Sequence, residues 1–198
     1  MPMIPAFLLI FVAVVYRIAA GILVQSGSAT WLSNFAPFAA IALCGAVFLP
    51  TKFKFSIPLL ALFVSDLVLN AYYSAPWLHP LIVGRYLALF AVGCFGLLLT
   101  NRTSLKALLP ASLAGSFIFY IISNFFSWLS DPGYVKSLAG FVQALTVGLP
   151  AYSATPTWMF FRNSLLSDLA FTCVFVLCVN LGRSSERSRA SAALPRAA

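Results

Sequence analysis

Five ionisable side chains lie inside otherwise apolar stretches of this sequence: Arg17, Asp66, Arg85, Arg162 and Asp168. A charge in a hydrocarbon setting costs a few kcal/mol or more, so each needs a partner or a purpose. Asp66 and Asn70 are four residues apart and share a helix face, with Ser65 alongside. Arg85 opens the next apolar run at the same level, which allows an Asp66–Arg85 pair that either ties the fold together or meets a ligand. The run beginning Phe160-Phe161-Arg162-Asn163-Ser164 continues into Ser167-Asp168. Arg162 is placed to clamp an anionic group or to snorkel to a membrane surface, Asn163 adds an amide beside it, and the deeper Asp168 is expected to pair with Arg17. Ser116, Tyr120, Asn124 and either Ser127 or Trp128 recur at four-residue spacing, a polar seam that must face protein or a cavity. Interhelical hydrogen bonding and substrate contact both account for such a seam.

Other chemistry has little to stand on. The single histidine, His79, sits in the short Trp77-Leu78-His79-Pro80 stretch, and a metal site ordinarily shows several ligands. Cys44, Cys94, Cys173 and Cys178 all fall in apolar stretches with no Cys-x-x-Cys spacing, so neither a zinc site nor a disulfide framework is expected and they read as small packing residues. The Asn101-Arg102-Thr103 sequon is a pattern that arises often by chance. No His-Glu-x-x-His, Gly-x-Ser-x-Gly or Gly-x-x-x-x-Gly-Lys motif occurs. The sequence is read as neither an enzyme nor a cofactor or metal protein, and it holds no nucleotide motif of its own.

The elements that must position these residues are membrane helices. Of 198 residues, 62% are hydrophobic and 8% charged, against roughly a quarter charged in a water-soluble domain. Strands with open edges cannot satisfy their backbone groups in lipid, so the apolar runs are expected to be helices. They fall near Ile4–Val24, Ala36–Leu49, Ser56–Tyr73, Ile82–Thr100, Leu105–Leu129 and Trp158–Leu181, giving an all-α bundle of six spans within residues 1–182. The second run is short for a hydrocarbon layer of about 30 Å and is expected to tilt, re-enter or lie buried. The net charge of +8 does not form a nucleic-acid stripe. With six spans, Lys52, Lys54, Arg102, Lys106, Arg183, Arg187, Arg189 and Arg196 share one side, and the opposite loops hold only Lys136. The basic side is therefore expected to be cytoplasmic, with both termini inside. Residues 183–198, rich in Ser, Ala and Arg, are expected to form a disordered tail, and the loops around 25–35, 74–81 and 130–157 to face outward.

The segments Asn34-Phe35-Ala36-Pro37, Ser65-Asp66-Leu67-Val68-Leu69-Asn70, Tyr134-Val135-Lys136-Ser137-Leu138-Ala139-Gly140, Gln143-Ala144-Leu145-Thr146 and Phe161-Arg162-Asn163-Ser164 carry a resemblance. Over roughly residues 8–180 the chain resembles an uncharacterised bacterial family of proposed transport proteins. That family is similar to the S components of energy-coupling factor (ECF) transporters, six-helix proteins that capture vitamins or related micronutrients. The resemblance implies a plasma-membrane protein with an external binding pocket, partnered by a membrane coupling protein and ATPase subunits. Asn34, Asp66, Asn70, Arg85, Asn124, Trp128, Arg162 and Asn163 are the expected substrate-binding residues. One departure is visible: where S components often carry Ala-x-x-x-Ala on the first helix, this one offers Ala13, Arg17, Ala19, Ala20 and Gly21. The alternative reading is a membrane scaffold or assembly factor that transports nothing.

Overall fold

The computed structural model describes residues 3–75 and 80–193. Its α-helices are α1 (Met3–Gln25), α2 (Phe38–Phe48), α3 (Ser56–Tyr73), α4 (Pro80–Leu97), α5 (Leu105–Ser130), α6 (Leu138–Leu145) and α7 (Thr157–Ala193), and no strand occurs among the described residues. Among the described residues, five segments are long and apolar enough to cross a membrane: Pro5–Gln25, Thr51–Tyr73, Pro80–Leu97, Leu105–Ser130 and Thr157–Ser185. The proline signals are where helix chemistry tolerates them. Pro80 is the first residue of α4 and Pro58 lies in the first turn of α3, positions whose N–H has no intrahelical acceptor. At the other end of α3, Ser74 takes the left-handed conformation (φ 53°) and the Ala75 N–H closes back on the Asn70 carbonyl.

The short α2 is the hub of the bundle. Its 11 residues, about 17 Å at 1.5 Å each, fall short of a hydrocarbon layer, and eight of them, Ala39, Ala40, Ala42, Leu43, Cys44, Gly45, Ala46 and Val47, are buried. Small side chains let its neighbours approach closely. On α4, Gly84, Ala88, Val92 and Gly96 form a buried seam at every fourth position. A Cβ at Gly96 would lie 2.8 Å from the Ala46 Cβ and 3.1 Å from the Leu43 carbonyl oxygen, and one at Gly84 would lie 2.5 Å from the Phe126 Cβ on α5. In lipid there is little water to expel between helices, so this contact and its dispersion energy hold them together. Toward the other end Val47, Leu108 and Val176 join α2, α5 and α7. The outer faces stay apolar, with Leu8, Phe11, Phe63, Phe90, Phe117 and Leu177 exposed, as a bundle immersed in a bilayer requires.

The helix positions expected from the sequence agree with these elements to within a few residues, apart from two differences. The segment between α5 and α7 contains α6, whose first turn is capped by the Ser137 hydroxyl accepting from the Gly140 N–H at 3.2 Å. The basic segment expected to be disordered from residue 183 instead continues α7 to Ala193, with the Arg183 guanidinium 5.7 Å from the Phe48 ring. The small residues of α1 turn inward: Ala6, Ala13 and Ala20 are buried together with Ile10 and Arg17. His79 and Trp77 lie outside the described residues, as does the tail beyond Ala193.

Candidate functional site

Two buried carboxylates organise the bundle, and each is surrounded differently. Asp66 on α3 faces α1 and α4. Its Oδ1 accepts from the Arg17 Nη2 at 2.6 Å, and its Oδ2 is 3.4 Å from the Arg85 Nη2. Arg17 also donates to the Ser65 hydroxyl and lies 4.6 Å from the centroid of the Phe38 ring. Ser65 in turn hydrogen-bonds the Ala61 carbonyl, as a buried hydroxyl must. The expected Asp66–Arg85 pair is present, but the expected Arg17–Asp168 pair is not. Arg17, one helix turn below Gly21 on the inward face of α1, meets α3, because α1 packs along α3 there and the Arg17 fork reaches Ser65 and Asp66 together.

Asp168 on α7 has no cation among the described residues. Its Oδ1 accepts from the Ala40 N–H at 2.9 Å and its Oδ2 from the Ser116 hydroxyl at 2.8 Å. Phe38 begins α2, so Ala39 and Ala40 belong to the first turn, whose N–H groups lack intrahelical acceptors. Asp168 thus does from another helix what the N-cap residue, Pro37, cannot do with its own side chain, and the positive end of the α2 dipole takes the place of a counter-ion. Below it the Thr172 hydroxyl donates to Ser112 at 3.0 Å, continuing a polar tie between α5 and α7.

Above the Asp66 cluster a cavity of about 810 Å³ opens between the helices at the end of the bundle that carries the 26–37 and 131–156 connections. Arg17 and Arg85 form its charged lining, no carboxylate lines it among the described residues, and Asn34, Asn70, Ser123 and Asn124 add polar groups. Phe35, Phe38, Phe119, Phe160 and Phe161 supply aromatic walls. Apolar walls with a few convergent polar groups are what a small-molecule site ordinarily offers. Asn34 reaches the lining because it takes a left-handed backbone (φ 57°), a conformation asparagine tolerates better than most residues. Tyr134, in the connection before α6, also lines the cavity. Burial, reinforced by the nearby Asp131 carboxylate, pushes its phenol above the ordinary tyrosine value, so it remains a neutral hydroxyl at physiological pH.

A family model described as a family of unknown function, DUF6580, matches residues 2–190. The chain belongs to that family. No curated protein and no solved structure matches it.

Of the residues expected from this DUF6580 sequence to touch a ligand, Asn34, Asn70, Arg85 and Asn124 line the cavity, while Asp66 lies behind Arg17 and Arg85. The other three do not line it. Asn163 donates from Nδ2 to the Trp31 and Ser33 carbonyls, each at 2.9 Å, which holds the 30–33 turn over the bundle. Arg162 is exposed and donates to the Asn163 side-chain oxygen at 3.2 Å. Trp128 donates from Nε1 to the Val135 carbonyl at 2.9 Å and packs on Phe125 and Phe141. Its own carbonyl accepts from Lys136. Sequence reasoning missed Arg17, Tyr73, Ser123 and Tyr134 as lining residues. The signal for Arg17 was present, since an arginine in mid-helix has to find an acid, and two were on offer.

Proposed function

We propose that this chain is a solute-binding membrane transport protein of the S-component kind, which takes a small micronutrient-like molecule from outside the cell into the cavity above Asp66. The observation that carries the reading is the cavity itself: about 810 Å³, with aromatic walls and Arg85, Asn34, Asn70 and Asn124 converging on it. A protein that only holds others in place has no need to leave such a volume open beside a buried charge cluster. The internal bonds of Asn163 and Trp128 would suit a scaffold, but they also rigidify the connections that border a binding site. No catalytic step is part of the proposal.

In this reading the chain makes six passes through a bacterial plasma membrane with both termini in the cytoplasm. The passage of α2 supports the count: Phe38 lies at the cavity, whereas Lys54, just beyond α2, reaches the Thr100 hydroxyl at 3.5 Å at the far end of α4. The eight basic residues of the inner connections and tail then face the cytoplasm. Energy for release would come from other chains, a coupling membrane protein and ATPase subunits, because this sequence contains no nucleotide motif. Native mass spectrometry of the protein extracted from its own membranes tests the proposal. A small-molecule adduct on the natural chain that is lost from Asn70→Leu and Asn124→Leu is the expected result. A natural chain free of any adduct, with both variants equally well folded, favours the scaffold.

A further inference from the structure

The charges at the cavity do not cancel. Arg17 is committed: its two terminal nitrogens hold Ser65 and Asp66, and its plane rests against Phe38. Asp66 is thereby matched one to one. Arg85 is the surplus cation. It approaches Asp66 only at 3.4 Å, and that contact is an ion pair without a hydrogen bond, since Asp66 Oδ2 has no hydrogen-bond donor among the described residues. The Arg85 Nε is buried and likewise has no acceptor among them. A buried guanidinium N–H left open is costly, and the planar fork of arginine is matched geometrically by a carboxylate that takes two N–H groups at once. Asp131 is engaged by the Gly133 N–H and Asp168 by the α2 terminus, so neither supplies that acceptor.

We propose that the solute carries one acidic group of the carboxylate class, bound through Arg85, on an apolar or aromatic body that rests against Phe35, Phe119 and Phe160. The assignment rests on the solute-binding reading above and narrows it. One negative charge balances the cluster of two arginines and one aspartate, whereas a cation would add to the surplus. The cavity is large enough for a body well beyond the acid itself. Asn70 and Tyr73, which line the same wall, offer neutral hydrogen-bonding groups around the acid without competing for its charge.

The test uses the full chain in detergent and three probes of one shape: 4-phenylbutanoate, 4-phenylbutanamide and 4-phenylbutan-1-amine. Their affinities are read by tryptophan fluorescence. The acid should bind at least about tenfold more tightly than the amide, equivalent to about 1.4 kcal/mol, and the amine most weakly. Arg85→Gln should remove the preference for the acid and leave amide binding in place; the variant retains the Arg17–Asp66 pair and should fold. Equal binding of acid and amide by the natural chain overturns the acidic-group assignment but leaves a solute cavity. Persistence of the preference in Arg85→Gln overturns the role of Arg85. Failure of all three probes to bind overturns both the assignment and the solute-binding reading. Displacement of the acid by phosphatidylglycerol added to the micelle transfers the anionic group to a lipid and overturns the soluble-solute assignment.

Discussion

Asp66 and Asp168 are both carboxylates at mid-helix positions in a lipid-facing bundle, yet the fold treats them in opposite ways. Asp168 is itself buried: a helix N-terminus and the hydroxyl of Ser116, a residue at the cavity floor, surround it, and what it provides is acceptance of hydrogen bonds. Asp66 is held by arginines from two other helices, both of which border an open cavity, and what it provides is charge. A buried acid therefore says little about function until its partners are known. N–H dipoles and a hydroxyl mark a structural cap, and an unequal count of cations beside a void marks a place for a ligand.

Substitution can separate the two roles. The largest effect is expected for Asp66→Ala, which strands the buried Arg17 guanidinium and should cost about 3–5 kcal/mol; Asp66→Asn, which keeps shape but not charge, should recover little. Unfolding of the purified protein by denaturant in detergent reads both. Asp168→Ala removes the acceptor for the Ala40 N–H and Ser116 and should cost about 2–4 kcal/mol. Asp168→Asn should behave very differently. Its amide oxygen can still cap Ala40, and Ser116, which already contacts the Ser112 carbonyl at 2.9 Å, can donate there and accept from the new amide. A loss within about 1 kcal/mol is expected. If the two asparagine variants are equally damaged, the distinction between a charge site and a cap is wrong. The smallest effect belongs to Arg162→Ala, whose guanidinium is exposed and, among the described residues, bonds only its neighbour Asn163. Its stability should stay within about 0.5 kcal/mol of the natural chain, and normal solute retention would place it outside the site.

The helices were legible in the sequence because apolar run length is set directly by the membrane, and Ser56–Tyr73 emerges with the expected bounds. The eight-residue α6 was not, because its apolar residues lie in a stretch broken by Gly and Pro and its cap is a single serine. Site residues on one helix face could be grouped by spacing, which is why Asp66 with Asn70, and the Ser116–Tyr120–Asn124 seam, were identified. Pairing across helices could not be read in that way. Whether Arg17 meets Asp66 or Asp168 depends on which neighbour α1 packs against, and local periodicity contains no trace of that choice. For the same reason Asn163 read as a ligand contact, although its carbonyl acceptors, Trp31 and Ser33, lie more than a hundred residues earlier.

In the proposed reading the cavity beside the Asp66 cluster is reachable from outside the cell, whereas the Asp168–Ser112–Thr172 region behind it is buried. Cysteine accessibility tests it most directly. In a chain with Cys44, Cys94, Cys173 and Cys178 replaced by alanine, Asn70→Cys, lining the cavity, and Ser112→Cys, buried beside Thr172, are exposed in intact cells to the membrane-impermeant sulfonatoethyl methanethiosulfonate. Rapid labelling at position 70 and none at position 112 are expected. No labelling at 70, or labelling only after the cells are opened, would contradict it.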